Sequence, residues 1–149
     1  MDSAVVRVWV GRLASVAWWL LVIDVVVLAV TAVPFFLGHE LHGLGLIAHM
    51  MASGVMVGLL PVVAATYWWR ADSPEASAAP AASPIVQSLL AAVMVTGWVT
   101  IATMFLVMIP IASTGGMHEI VRVHGWIGYV TTGLVLVLAV VGRKAAGRG

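Results

Sequence analysis

Long apolar runs, separated by short polar breaks, dominate the hydrophobic pattern of this chain. Four runs reach the length of about 20 apolar residues that a helix needs to cross the hydrocarbon core of a bilayer. They cover residues 13–37, 43–69, 85–112 and 120–141. None shows the alternation of polar and apolar residues that is typical of barrel strands, so the pattern predicts helices. We therefore expect an all-α membrane protein with four transmembrane helices in a single domain.

The segments between the apolar runs predict how the helices pair. Residues 38–42 join the first two runs and residues 113–117 join the last two. Connections this short produce antiparallel helical hairpins. Residues 71–84, between the second and third runs, are rich in Pro, Ala and Ser, which predicts a solvated linker. The expected architecture is a four-helix bundle made of two helical hairpins.

Composition excludes several classes of protein. The 149 residues are 62% hydrophobic and 9% charged, against about 45–50% and about 25% in soluble domains. The formal net charge of +1 offers no basic patch for phosphates, so a nucleic-acid partner is excluded. The absence of cysteine excludes disulfides, thiolate zinc sites, iron–sulfur clusters and covalently attached heme. Any metal must bind to His, Met, acidic or backbone ligands.

The basic residues predict an orientation in the bilayer. Only Arg122 lies towards the end of the bundle that holds the short connections. The others flank the end that both termini share with the linker: Arg7, Arg12, Arg70, Arg143, Lys144 and Arg148. By the positive-inside rule, this distribution places both termini and the linker in the cytoplasm. The short connections then face the outer side.

All five histidines lie in or just before the second and fourth spans, towards the outer side. His49 and His124 both fall roughly 10 Å below the outer boundary, at about 1.5 Å per residue. A single intramembrane histidine is most simply a hydrogen-bonding group between helices. Two at matched depth on parallel helices favour a cofactor, because bundles build such sites from facing helices.

A single heme is the cofactor that these side chains suit best. Two imidazoles without cysteine or clustered carboxylates are typical of a non-covalent b-type heme with two histidine ligands. Zinc and copper normally require more ligands at compact spacing. Small residues near the two histidines provide either room for a flat macrocycle or helix packing. They are Gly45, Ala52 and Ser53 near His49, and Gly125 and Gly128 near His124. The Gly54/Gly58 pair is typical of a small-xxx-small contact between helices.

Other polar residues have weaker assignments. His42, His118 and Arg122 fit positions at the outer interface, beside heme propionates or a quinone headgroup, although Arg122 is equally suited to reach water. Asp24, deep in the first span, serves either as a protonated structural group or in proton transfer to a quinone or partner subunit. The threonines of the third span either line a polar pocket or bond to their own helix. They are Thr96, Thr100 and Thr103.

Two motifs carry a family resemblance. They are GHELHGLGLIAH over residues 38–49 and IPIASTGGMHEIVRVHGWIG over residues 109–128. Outside the linker, the chain resembles the small four-helix bacterial b-type cytochromes of the cytochrome b561-like group. In that group a turn leads into a helix whose first turns carry a heme-binding histidine, a role that His49 and His124 match. Gly125 stands where the group often has arginine, and no inner-leaflet histidine exists, so the resemblance implies one heme.

The expected function is therefore that of a membrane b-type cytochrome in a bacterial inner (plasma) membrane. It would carry electrons through one heme b bound to His49 and His124, as a subunit of a larger redox complex. Its electrons would pass to or from quinone or a periplasmic partner. One alternative is a cofactor-free structural or assembly subunit. Another is an outward-facing copper or other metal site at His39, His42 and His118.

Overall fold

Four long α-helices make up the structure. The computed structural model describes residues 3–39, 42–71, 83–109 and 113–146. Each helix is long and apolar enough to cross a membrane. The helices are α1 Ser3–Phe36, α2 Gly43–Ala71, α3 Pro84–Met108 and α4 Thr114–Ala146. The predicted all-α fold with four membrane-spanning helices is confirmed, and the protein is a multi-pass membrane protein.

Gly38 determines how α1 ends and how the connection to α2 begins. The Gly38 N–H donates to the Phe35 carbonyl and the His39 N–H to the Pro34 carbonyl. Gly38 has a φ of 78°, the left-handed conformation that ends many helices in this hydrogen-bond pattern. Helix α2 then begins at Gly43, as predicted, whereas α1 extends ten residues further towards the N-terminus than the predicted span 13–37.

The connection between α3 and α4 differs from the prediction. Helix α3 ends at Met108, because Ile109 is extended ahead of Pro110; residues 110–112 of the predicted span lie outside the described residues. The Ser113 hydroxyl accepts a hydrogen bond from the Gly116 N–H at 3.4 Å, which caps α4. Residues 114–117 are therefore helical, and the predicted loop 113–117 was wrong beyond Ser113.

The linker prediction is largely outside the described part of the chain. Ala71 ends α2 and Pro84 begins α3, so both end residues of the predicted linker 71–84 are helical. Pro84 fits the first turn of α3 because that position needs no N–H donor. Residues 72–82 lie outside the described residues. We call this end of the bundle the linker end, and the end with the turns near Gly38 and Ser113 the turn end.

The helices form a ring. The most extensive contacts are within the hairpins α1–α2 and α3–α4, followed by α1–α4 and then α2–α3. Among the described residues, α1 does not pack on α3, nor α2 on α4. Helices α2 and α4 therefore face each other diagonally across the centre of the bundle. This places the two histidine-bearing helices on opposite sides of the interior.

The core and the surface are both apolar. Leu21, Leu60, Val93 and Val135, one from each helix, are fully buried. Many large apolar side chains on the outside are exposed, as expected for residues that contact lipid. Near the linker end, the Arg143 guanidinium lies 5.3 Å from the centre of the Trp19 ring, a cation–π geometry.

The surroundings of Gly97 differ from those of the Gly54/Gly58 pair. A Cβ atom at Gly97 of α3 would lie 2.9 Å from a methyl carbon of Leu60 on α2. Glycine at this position thus allows α2 and α3 to approach. Around Gly54 and Gly58, nothing lies within 4 Å of a Cβ position, and both residues are exposed. The interpretation of this pair as a helix contact was therefore wrong within the described chain.

Candidate functional site

A cavity of about 90 Å³ lies inside the bundle, and all four helices contribute to its wall. His49 of α2 and His124 of α4 both line it. The other lining residues are mostly apolar or small, and among them are Val25, Leu28, Phe35, Ser53, Met56, Thr100, Met104, Gly125, Gly128 and Tyr129. The sequence pairs His49 with His124, and the diagonal helices bring both side chains to one interior space.

Thr31 of α1 holds the His49 ring. Its hydroxyl donates to the carbonyls of its own helix, at 2.8 Å to Val27 and 3.1 Å to Leu28. The same oxygen lies 2.9 Å from His49 Nδ1. With the hydroxyl proton directed to a carbonyl, we assign Nδ1 as the donor, and in this tautomer it carries the imidazole proton.

His124 is held by two groups of α3. Its Nδ1 lies 3.1 Å from the Thr100 carbonyl oxygen and 3.1 Å from the Thr103 hydroxyl. A carbonyl oxygen only accepts hydrogen bonds, so Nδ1 of His124 also carries its proton. The Thr103 hydroxyl itself donates to carbonyls of its own helix. Each hairpin therefore fixes one histidine through a threonine on its first helix.

The Nδ1 hydrogen bonds determine which ring nitrogen is available. In a neutral imidazole that is protonated at Nδ1, the Nε2 atom keeps its lone pair. The Thr31, Thr103 and Thr100 contacts of the two rings are all made by Nδ1. Histidines that bind metals almost always donate their other N–H to a carbonyl, carboxylate or water. His49 and His124 are thus preorganised as two Nε2 ligands.

The cavity tests whether a heme fits. The ligand chemistry fits, because two neutral imidazoles are available and all four helices surround the space between them. The volume of about 90 Å³ is well below the roughly 300–1,000 Å³ of ordinary ligand pockets. A macrocycle would therefore have to displace side chains, and the flexible Met56 and Met104 in the lining are suited to move.

The small residues near the histidines fall into two groups. Gly125, Gly128 and Ser53 line the cavity, as a site for a flat ligand requires. Gly45 and Ala52 are not part of its lining. A Cβ at Gly125 would lie 3.4 Å from the ring of Phe36, so this glycine also allows α1 to approach α4.

The other predicted site residues lie away from the cavity. His42, His118 and Arg122 are exposed and are not among its lining residues. Arg122 donates to the Glu119 carboxylate at 2.6 Å, and Nδ1 of His118 bonds to the Thr114 carbonyl of its own helix at 3.0 Å. The structure therefore joins His49 and His124 in one site and leaves these three at the surface of the turn end.

A compact metal site is not formed by the histidines of the turn end. Among the described residues, no group of three or more His, Cys, Asp or Glu side chains is placed to hold a metal ion. His39, His42 and His118 all lie within these residues. The alternative of a copper site built from these three histidines is therefore not supported by their arrangement.

The threonines of α3 have separate roles. Thr96 bonds only to carbonyls of its own helix. Thr100 lines the cavity and lies 3.3 Å from the Thr131 hydroxyl of α4. Thr103 contacts His124. All three hydroxyls thus bond to carbonyls of their own helix, and Thr100 in addition lines the cavity.

Sequence reasoning missed Thr31 and Tyr129. In an antiparallel hairpin, residues equidistant from the turn lie side by side. Thr31 and His49 are both nine positions from residue 40 in the first connection, so this symmetry was the available signal. Tyr129 lines the cavity and donates to the Ala29 carbonyl at 2.9 Å. No pattern in the sequence distinguished it from an ordinary interfacial aromatic residue.

Comparisons with known proteins add no identification. No protein-family model, no curated protein and no solved structure matches this chain.

Proposed function

We propose that this protein is a membrane b-type cytochrome that carries electrons through one non-covalently bound heme. The observation that carries the proposal is the pair His49 and His124 on diagonal helices. Both line one cavity, and both direct Nδ1 to acceptors of the protein. This arrangement leaves two Nε2 lone pairs for a metal between the helices.

The residues around the cavity would perform distinct tasks. Thr31 and the Thr100 carbonyl accept the Nδ1 protons, which orients each ring and makes its Nε2 a stronger ligand. The apolar lining excludes water, which lowers the local dielectric constant. When bound, the heme would supply an iron that gains and loses one electron.

The setting of the protein is part of the proposal. The chain would lie in a bacterial inner membrane with its termini in the cytoplasm. The arginines of the linker end support this orientation. It would work as a subunit of a larger redox complex that exchanges electrons with quinone or a periplasmic partner. His42, His118 and Arg122, exposed at the turn end, belong to the surface that such a partner would meet.

Absorption spectroscopy tests the heme. The protein is expressed with adequate heme supply, purified in mild detergent and compared before and after reduction with dithionite. We expect a Soret shift and a sharp α band that disappear in His49→Ala and in His124→Ala. His118→Ala is the matched control and should keep both, because His118 lies outside the cavity. Colourless wild-type protein would refute the proposal.

A second candidate is a cofactor-free structural or assembly subunit. The small cavity favours it, as do the hydrogen bonds by which each histidine joins two neighbouring helices. In that case the wild-type protein stays colourless with heme supplied. The His49→Ala variant would then lower the unfolding temperature without any spectral change.

A further inference from the structure

The buried polar side chains of the described chain form a small set. They are Asp24, Thr100, Thr103, Thr131 and Thr132. Each threonine hydroxyl has hydrogen-bond partners. Asp24 is only 7% exposed, and its Oδ2 atom is the one buried side-chain oxygen or nitrogen of the described residues without a partner. An unpartnered carboxyl inside a membrane span requires an explanation.

Asp24 lies at the level of the cavity floor. The bond between Thr31 and His49 sets the register of α1 against α2, and counting seven residues along each helix places Asp24 at the level of Met56. Val25, the next residue of α1, lines the cavity, as does Met56. Seven helical residues span about 10 Å, which is the axial separation of Asp24 from His49.

Among the described side chains, no charged group lies at the level of Asp24 on the helices around it. The Thr132 hydroxyl of α4 bonds to the Val25 carbonyl, so residues near position 133 lie at the level of Asp24. The nearest ionisable groups towards the turn end are His49 on α2 and Tyr129 and His124 on α4. Towards the linker end they are Arg12, Tyr67 and Arg143, each ten or more residues from that level. Helix α3 carries no ionisable side chain.

This isolation makes Asp24 sensitive to charge in the cavity. A carboxylate without a partner is disfavoured in apolar surroundings, and a nearby positive charge offsets part of that cost. A ferric heme with two imidazole ligands carries one formal positive charge at its centre, which reduction removes. At about 10 Å and an effective dielectric constant of about 20, one unit charge changes the proton affinity of a carboxyl on the order of tenfold.

We propose that Asp24 is a proton-binding site coupled to the electron carried in the cavity, an inference that rests on the proposed function. A one-electron donor loses an electron, and the iron passes from ferric to ferrous. One proton from the aqueous phase forms an O–H bond with the Asp24 carboxylate, giving the neutral acid. Oxidation reverses both changes, so proton uptake is coupled to reduction; a tenfold change in proton affinity corresponds to at most about half a proton per electron.

Buried hydroxyls mark a polar path between the two groups. From the level of His124, the Thr103 and Thr100 side chains lead to Thr131, whose hydroxyl lies 3.3 Å from that of Thr100. Thr132 follows on α4 and reaches the Val25 carbonyl beside Asp24. The otherwise apolar interior thus has its buried polar atoms between the histidines and this acid.

The midpoint potential of the heme-loaded protein, measured as a function of pH, tests the proposal. We expect the wild-type potential to fall with rising pH, with a limit of about 59 mV per pH unit for one proton per electron. Asp24→Asn should abolish this slope. Glu119→Gln, which changes an exposed acid that does not line the cavity, should keep it. A pH-independent wild-type potential, or an unchanged slope in Asp24→Asn, would overturn the proton site and leave the cytochrome intact.

Infrared difference spectra of the wild-type protein provide a readout that needs no folded variant. Reduction should produce the C=O stretching band of a neutral carboxylic acid, and this band should move to lower frequency in D₂O. A heme-loaded protein whose reduction changes no carboxylic-acid band would contradict the proposal. Colourless protein would instead refute the proposed function, so the two failures are distinguishable.

Discussion

Threonine–imidazole contacts are the residue-scale feature on which the site depends. In each hairpin, a threonine on the first helix accepts from Nδ1 of a histidine on the second. The two contacts are not equivalent. His124 Nδ1 has the Thr100 carbonyl as a second acceptor at 3.1 Å, whereas the Leu28 carbonyl that bonds the His49 ring is shared with the Thr31 hydroxyl. The two histidines should therefore respond differently when the hydroxyl is removed.

Valine substitutions measure this difference. Thr31→Val keeps the shape of the side chain but removes the His49 acceptor at 2.9 Å and leaves only the Leu28 carbonyl, so heme affinity should fall by about 10- to 100-fold. Thr103→Val should cost less, because the Thr100 carbonyl still holds His124. Heme titration of the heme-free protein, followed by absorption, gives the affinities.

Thr96→Val is the control for these substitutions, because its hydroxyl bonds only within its own helix. It should bind heme like the wild type. An equal loss of affinity in all three variants would mean that the hydroxyls act on helix stability rather than on the histidines.

At the scale of helices, local hydrogen bonds determine where helices begin and end, and the close approach of α2 to Gly97 of α3 determines how these two helices pack. Glycine and serine residues define the turns after α1 and before α4 through backbone hydrogen bonds. The contact between α2 and α3 is the least extensive of the ring. It includes the packing of Leu60 against the open side of Gly97. This contact should be sensitive to a single methyl group.

Alanine substitutions at two glycines test the contact. Gly97→Ala places a methyl group 2.9 Å from a buried leucine carbon, and overpacking of this kind typically costs about 1–3 kcal/mol. Gly58→Ala meets nothing within 4 Å, while both changes gain the same helix propensity. We expect Gly97→Ala to unfold at a lower temperature in detergent than Gly58→Ala, monitored by circular dichroism. Equal unfolding temperatures would contradict this packing.

At the scale of the molecule, the ring of helices creates the site. Each hairpin supplies one histidine, and only the diagonal position of α2 and α4 brings both to the same cavity. The two ends of the bundle also differ in their distance from the cavity. The cavity lies in the half of the bundle with the turns, and the proposed orientation directs that half outward.

Cysteine labelling tests the orientation. The chain has no native cysteine, so single substitutions give an unambiguous signal. Ser113→Cys at the turn end and Ser83→Cys at the linker end both replace exposed residues. A membrane-impermeant maleimide should label the Ser113→Cys variant in intact cells with an opened outer membrane, and the Ser83→Cys variant only after lysis. The reverse pattern would place the termini outside.

The sequence alone determined the class of fold and the pairing of His49 with His124. Hydrophobic runs and turn residues are local properties, so the four spans and the start of α2 were predicted from them. His49 and His124 were paired because helical rise converts sequence position into depth. The first turn of α4 was missed because a glycine-rich segment is ambiguous until its serine cap is seen.

Only the tertiary structure decided how these parts meet. Helices that are hydrophobic on every side do not encode which neighbours they choose, so the diagonal placement of α2 and α4 came from packing. The acceptor of a histidine proton lies on a neighbouring helix, and the isolation of Asp24 depends on which side chains surround it. The pairing of Arg122 with Glu119 depends on the rotamers of both side chains. Hydrophobicity specifies that a residue lies in the bilayer, whereas hydrogen-bond partners and cavities exist only once particular helices are in contact.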